Sequence, residues 1–588
     1  MRKNIKPKNF KKSLINIFIY LKKDKYKLIV SVIFAISASI LILQGPNILT
    51  KITDTISNGL INNNIDLKYV YNTGLILLII YIISYILSIA NNLIMTNTMQ
   101  NMARELRTKV INKLDCLPMS YYSKNSKGDI LSRVTNDIDT LGQSLQQSIS
   151  ALLSSVSLFI GSIIMMFITN IVLAITAILS TLIGFILMSL IMSRSQKYFK
   201  KQQKLLGDLN GHIEEMYSGH TIIKAYNAED NATQIFNDYN IQLKDSSFIA
   251  QSLSGLMMPI MQFIGNFGYV AVCIVGALLV INNNIEFGII VAFMIYIRLF
   301  TQPLGQIAQS MQNLQSATAS SERIFEFLQE DEQLDESHIT NTLVNVKGDV
   351  EFKNVNFAYT KGKQIINNFS AIIKQGQKVA IVGPTGAGKT TLVNLLMRFY
   401  EIDNGDILID NMSIKKVKRE NIHSLFSMVL QDTWLFEGTL KENLIYTSDN
   451  NDHKILVDAC KAVGLDHFIN TLPNGYDTII NDTLQLSLGQ KQQITIARAI
   501  IANKPMIILD EATSSIDTRT EQHIQQAMDK LMENRTSFVI AHRLSTIKNA
   551  DLILVVNNGD IIEKGTHKQL LENKGFYANL YNSQFDKV

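Results

Sequence analysis

The chain has 588 residues, 47% of them hydrophobic and only 18% charged, with a net charge of +5. That length is too great for one compact domain, and a charged fraction below the ~25% of soluble proteins excludes a soluble enzyme over the whole length. The three cysteines, Cys116, Cys273 and Cys460, are far apart and form no CxxC, which excludes a disulfide framework or a cysteine zinc site.

Residues 1–26 are strongly basic. A basic arm can bind nucleic acid, but this one directly precedes a membrane-length apolar run, and positive charge is retained on the cytoplasmic side of a membrane. The reading is therefore lipid and no nucleic acid. The first apolar run is too long for a cleaved signal peptide. Phe10 to Tyr20 carries apolar residues on one helical face and is expected to lie along the membrane surface, with a solvated basic tail as the alternative.

A spanning helix needs about 20 mostly apolar residues, and residues 27–320 offer six: Leu28–Leu49, Val70–Ile94, Leu152–Ile168, Ile171–Met192, Leu256–Ile281 and Phe287–Leu304. Short connections follow the third and fifth. The segments Thr96 to Ala151 and Ser193 to Gly255 are long, helical in pattern and rich in Lys and Arg, whereas the other side shows only Lys51 and Lys68. The positive-inside rule puts both long loops and both termini in the cytoplasm, with the loops continuing the spans as rods. Asn91, Asn92, Gln262, Asn266 and Arg298 are polar groups in or near spans, where such groups face a cavity or each other. Arg298 fits either a contact to an anionic substrate or a cytoplasmic-edge position from which it snorkels, the second being preferred. Met165, Met166, Met257, Met258 and Met261 suit an adaptable apolar pocket or, one by one, ordinary helix packing.

Residues 321–347 are polar and acidic and read as a linker; from 348 to 588 short strands and helices alternate. The buried-strand run KVAIVG leads into Gly383-Pro384-Thr385-Gly386-Ala387-Gly388-Lys389-Thr390 and then a helical stretch, which is GxxxxGK[ST] between strand and helix. Its glycines let backbone N–H groups wrap phosphate, Lys389 reaches the β- and γ-phosphates of ATP, and Thr390 ligates Mg²⁺. Farther on, Met506 to Leu509 is an apolar strand ending in Asp510, a metal ligand, and Glu511, which orients or deprotonates the attacking water.

With these motifs, Leu486-Ser487-Leu488-Gly489-Gln490-Lys491-Gln492 resembles the signature sequence of the ABC transporters. Gln431 resembles the Q-loop glutamine, Ser514 to Asp517 the D-loop, His542 the switch histidine, and Tyr359 the aromatic that stacks on adenine. In the membrane half, Leu117-Pro118 to Asp137, with SKGDILSRVTNDID, and Glu214 to Glu229, EEMYSGHTIIKAYNAE, are similar to the two coupling regions of ABC exporters, and Ser321 to Phe325 to the exit from the sixth span. The resemblance implies a membrane all-α six-helix exporter domain joined to an α/β P-loop ABC nucleotide-binding domain, that is, a half-transporter. Two such chains sandwich two ATP molecules. Tyr359, Gly383, Thr385, Gly386, Gly388, Lys389, Thr390, Thr391 and Asp517 bind this chain's nucleotide. Ser487, Gly489 and Gln490 act on the partner's. Thr390, Gln431 and Asp510 hold Mg²⁺, and Glu511, His542 and Gln431 carry catalysis.

Two departures stand out: Leu488 occupies a position usually held by Gly, and the stretch from Thr478 to Gln485 is short and lacks a GE pair, with Asp482 standing in for the Glu. The nucleotide domain looks most like the Glu-bearing half of bacterial heterodimeric multidrug exporters, which favours a heterodimer over a homodimer. Richness in Asn, Ile and Lys points to a bacterium and its inner membrane. The expected function is ATP-driven export of hydrophobic or amphipathic compounds. The alternatives are a lipid flippase and, from another class, an ATP-gated channel or regulatory subunit with little turnover; Glu511 and His542 oppose the last. Glu511→Gln is expected to bind ATP and abolish its turnover in a Mg²⁺-ATPase assay; near-normal turnover would remove Glu511 from the water-activating role.

Overall fold

A computed structural model describes residues 10–360, 362–446, 452–481, 484, 486–510, 518–540 and 547–585. The chain divides into two compact units, one of residues 1–115 and 126–330, the other of 116–125 and 331–588.

The first unit is helical. Its apolar runs form α2 (Lys25–Ile61), α3 (Leu67–Cys116), α6 (Ile138–Thr169), α7 (Ile171–Ser218), α10 (Met257–Ile281) and α11 (Phe287–Leu328), preceded by α1 (Phe10–Leu21), with α5 (Lys127–Ser132), α8 (His220–Ala225) and α9 (Glu229–Gly255) between them; the short α4 (Met119–Lys124) falls in the second unit. Among the described residues five helical stretches are long and apolar enough to cross a membrane by length and composition; within α7 the stretch Ile171–Leu182 is apolar but shorter. Hydrocarbon forces this choice, because it offers no partner to a backbone N–H or C=O. The 50 residues of α3 make a rod of about 75 Å, well beyond the ~30 Å of hydrocarbon, so the span runs on unbroken into the charged loop. The sixth span does the same: α11 continues to Leu328, so the first eight residues expected in a linker are helical.

Met166, Leu173, Ala177, Val272, Phe293, Tyr296 and Phe300 belong to one buried cluster of the membrane helices, with Phe159 stacked on Phe300 at 5.1 Å between centroids. Polar groups inside are paired across helices: Ser31 donates to Asn91, and Ser155 donates to Gln306 at 2.7 Å. Asp54 of α2 accepts from the N–H of Gly288 at 2.6 Å and so caps α11 from outside its own helix. In α1, Ser13, Ile17 and Leu21 are buried, while Ile15, Phe18 and Ile19 are exposed. Tyr20 holds it in place, 5.2 Å from the ring of Phe325 and bonded to Lys109 at 3.2 Å.

The second unit is α/β. A four-stranded antiparallel sheet has the order β2-β1-β4-β5, where β1 is Val350–Phe357, β2 Ile366–Ile373, β4 Asn404–Ile409 and β5 Met412–Ser413. A six-stranded sheet has the order β12-β11-β3-β10-β9-β6, where β3 is Lys378–Val382, β6 Phe426–Val429, β9 Met506–Asp510, β10 Thr536–Ile540, β11 Leu552–Asn557 and β12 Asp560–Gly565. All its pairings are parallel except β11 with β12. Val379 and Ile381 of β3 enter one core and Ala380 and Val382 another, so both faces are buried and the strand reads as an uninterrupted apolar run. Residues 116–125, expected with the membrane half, join this unit because Gln333 donates to the carbonyls of Cys116 (2.8 Å) and Leu117 (3.0 Å).

Within the first unit, a charge network ties the last turns of α11 to the segment after α5. Arg323 pairs with Asp129 and lies 3.2 Å from Asp137, and Arg133 lies 2.9 Å from Asp129. Residues 133–137 form a π turn here, a departure from regular helix that such contacts can hold. Arg323→Ala should destabilise this unit by about 1–3 kcal/mol, read as a lower thermal midpoint of the detergent-solubilised protein. An unchanged midpoint would show the contacts to be incidental.

Candidate functional site

In an open parallel sheet, ligands bind beyond the carboxyl ends of the strands. Ile381 of β3 pairs with Ile540 of β10, and Ile540 pairs with Asp510 of β9. Val429 of β6 pairs with Leu509, so Gln431 follows two residues past that strand's end. The strands β3, β6 and β9 therefore release the phosphate loop, Gln431 and Asp510 along one edge. Glu511, Asp517 and His542 themselves lie outside the described residues, as do Asp482 and Gln485.

The phosphate loop joins β3 to α12 (Lys389–Leu396). Gly386 and Gly388 have φ of +84° and +102°, a region closed to most side chains, which lets successive N–H groups face inward. Gly383 is constrained by space: a Cβ there would meet the carbonyl oxygen of Val556 at 2.1 Å. Lys389 is buried, and its Nζ donates to the carbonyls of Gly383 (2.7 Å) and Pro384 (3.0 Å). Burial holds its ammonium below the usual lysine range, and the charge of Asp510 partly offsets this. A phosphate brought to this loop would find the cation already aligned and under-solvated. Thr385 and Thr390 are exposed and free to meet a ligand, whereas Thr391 is buried.

Tyr359 is 40% exposed. Its hydroxyl donates to Thr391 at 3.3 Å. Edge contacts to Phe357 (4.8 Å) and Tyr400 (4.9 Å) fix the ring, leaving surface on which a flat base can stack. Thr391 thus supports the aromatic platform. Gln431 is exposed and Asp510 half-buried at the sheet edge.

The signature residues start α17 (Leu488–Ala502) as a reciprocal capping box. Ser487 Oγ accepts from the Gln490 N–H at 3.2 Å, and Gln490 Oε1 accepts from the Ser487 N–H at 2.9 Å. Gly489 is buried, while Ser487 and Leu488 are exposed. A 15-residue helix with an exposed, serine-capped N-terminus offers an anion both the helix dipole and N–H groups. The side chain of Leu488 projects into solvent, 46% exposed, so replacing Gly there does not crowd the cap.

One residue escaped the sequence reading. Asn443 is fully buried. Its amide donates to the carbonyls of Phe436 (2.9 Å) and Thr439 (3.2 Å), and it accepts from the Phe436 N–H at 3.1 Å. Arg498 donates to its carbonyl at 2.9 Å and lies 4.9 Å over the ring of Tyr446. This holds the segment after Gln431 with Trp434 exposed. The available signal was the capping box Thr439 to Glu442 just before it.

Lys389→Ala removes the one cation on the loop. It should weaken ATP binding by at least about tenfold, measured with a fluorescent ATP analogue; unchanged affinity would overturn the phosphate assignment.

The comparisons agree with this geometry in both halves. Residues 28–304 match the family described as ABC transporter transmembrane region, and residues 366–514 match the family described as ABC transporter. A fatty acid ABC transporter ATP-binding/permease protein of Mycobacterium bovis is 45% identical over 517 residues, covering 88% of this chain and 82% of that protein. An ATP-dependent lipid A-core flippase of Syntrophus aciditrophicus is 32% identical over 517 residues, covering 87% and 86%. A Bacillus subtilis ATP-binding/permease protein assigned provisionally to multidrug export is 33% identical over 489 residues, covering 82% and 83%. With a matching membrane region, a matching ATPase region and relatives aligned over both, the chain belongs to the ABC transporters, as a membrane-embedded, ATP-hydrolysing half-transporter of the exporter type.

Proposed function

We propose that this chain drives export of hydrophobic or amphipathic compounds across the bacterial inner membrane by alternating access, with its ATPase unit and both termini in the cytoplasm. The observation that carries the ATP-driven part is the shared strand-end edge, where the phosphate loop, Gln431 and Asp510 emerge side by side. In this reading Tyr359 stacks on adenine, Gly383 to Gly388 wrap the phosphates and Lys389 neutralises them. Glu511 orients the attacking water, His542 and Asp517 complete the site around the γ-phosphate, and Ser487, Gly489 and Gln490 engage the ATP of a second half-transporter. The hydroxyl of Thr390, the carboxylate of Asp510 and the amide oxygen of Gln431 are hard oxygen donors of the kind Mg²⁺ takes. Bound there, Mg²⁺ would neutralise charge on the phosphate oxygens. ATP favours the closed dimer because only that state contacts it from both chains, which is the differential affinity a switch requires.

The substrate class rests on the named relatives, whose substrates include a fatty acid and lipid A-core. The lipid A-core flippase relative favours lipid flipping as the second reading. The nucleotide domain's likeness to Glu-bearing subunits supports a heterodimer.

The test is Mg²⁺-ATPase activity of the purified chain in lipid, alone and beside Glu511→Gln. Activity that the mutation abolishes is expected once the functional dimer is present. Activity from this chain alone would replace the heterodimer with a homodimer, and activity that survives the mutation would overturn the catalytic assignment.

A further inference from the structure

Arg298 is the one side chain charged at neutral pH within the six apolar runs: no other Asp, Glu, Lys, Arg or His lies in them. Measured from Phe287, where α11 begins, it lies about 16 Å along the axis at 1.5 Å per residue, near the middle of ~30 Å of hydrocarbon. That depth favours a position within the membrane over the cytoplasmic-edge reading. Snorkelling toward the cytoplasm is also disfavoured, because side chains on a helix tilt toward its N-terminus, and the N-terminus of α11 is the outer end in the proposed orientation.

The helix turns this residue away from its own bundle. Phe293, Tyr296, Ile297, Phe300 and Thr301 are buried, whereas Met294, Arg298, Gln302, Gly305 and Gln309 are exposed at helical spacing on the other face. A Cβ on Gly305 would meet nothing within 4 Å, so the stripe borders open space. A charged and amide-rich stripe at this depth is expensive against lipid tails and belongs in a cavity. Among the described residues Arg298 makes no ion pair. The acid nearest along the helix, Glu286, precedes Phe287 and is about 18 Å away along the axis. A second copy of the chain would bring another arginine and no acid within its spans.

We infer that Arg298 is the anchor for the acidic headgroup of the transported molecule, which narrows the substrate to an anionic amphiphile: a carboxylate or phosphate head on an apolar tail. Planar guanidinium pairs with such heads through two parallel hydrogen bonds. Gln302 and Gln309 extend a polar track for the head along α11, and Met294 offers adaptable apolar surface to the tail. This inference rests on the exporter reading above.

The test places the full chain, with its second half-transporter where activity requires one, in nanodiscs of neutral phosphatidylcholine. ATPase stimulation is titrated with oleate and with oleyl alcohol, equal in tail and different in charge. For oleate, the half-maximal concentration should rise at least about tenfold in Arg298→Gln and recover in Arg298→Lys; for oleyl alcohol it should stay as in the parent protein, which also shows the variant to be folded. In a further arm, phosphatidylglycerol is built into the bilayer without oleate. Stimulation there that Arg298→Gln removes assigns the anionic headgroup to a bilayer lipid rather than a free amphiphile, and supports the inference. Oleate and alcohol curves that shift together, or that both stay unchanged, overturn it and leave the exporter reading intact. The same holds if the variant's dimer dissociates while its oleate response persists, since Arg298 would then be a contact between chains. A parent protein that hydrolyses ATP yet responds to no amphiphile of either charge overturns the exporter reading, and this inference with it.

Discussion

The pairing of Ile381 with Ile540 and of Ile540 with Asp510 is the constraint on which the ATPase unit depends. A triphosphate can be bound tightly only where several donors and a metal-holding acid converge with little freedom. The parallel ladder supplies that convergence by fixing where each strand ends. A slip of one residue in β9 would exchange its two faces and withdraw Asp510 from the edge. The apolar residues of β3, β9 and β10 therefore do more than fill two cores. Their packing holds the register that places the phosphate loop beside the acid.

Four of the groups assigned to nucleotide, Tyr359, Lys389, Ser487 and Gln490, already have partners within the chain. Lys389 bonds two loop carbonyls, Ser487 and Gln490 cap each other, and Tyr359 bonds Thr391. Nucleotide must exchange for these contacts, so the net gain per contact is the modest one of exchange rather than the full strength of a hydrogen bond. Such a site keeps its shape between turnovers. Buried Lys389, its charge disfavoured by desolvation and partly restored by Asp510, stands to gain most from an anion.

In the membrane half the physics is inverted. There is no solvent to satisfy a stray polar group, so Ser31 with Asn91 and Ser155 with Gln306 pair across helices. Asp54 closes the end of α11 at Gly288, where a Cβ would meet its carboxylate at 2.6 Å. The helices continue as rods beyond the span, so a displacement at their far ends is carried back to the span by regular hydrogen bonding rather than by loops. Arg323, between Asp129 and Asp137, sits where α11 leaves the span.

The sequence alone determined the division into an apolar helical half and an α/β half, the six runs, and the ATP-binding character of the second. These are local: twenty apolar residues dictate a helix in lipid, and a glycine-rich loop between strand and helix dictates a phosphate cradle. The glycine-rich loop was legible because Gly386 and Gly388 take backbone conformations at positive φ that most side chains avoid, whereas Ser487, read from the sequence as a signature residue, is found in the structure as the N-cap of α17. Only the tertiary structure decided what depends on distant chain segments. It carried α11 into the expected linker as far as Leu328 and joined Cys116 and Leu117 to Gln333. It made Asn443 a buried hub and turned Arg298 outward from its bundle. None of these has a local signature, since each is set by which faces of far-apart segments meet, and that information is distributed over the whole chain.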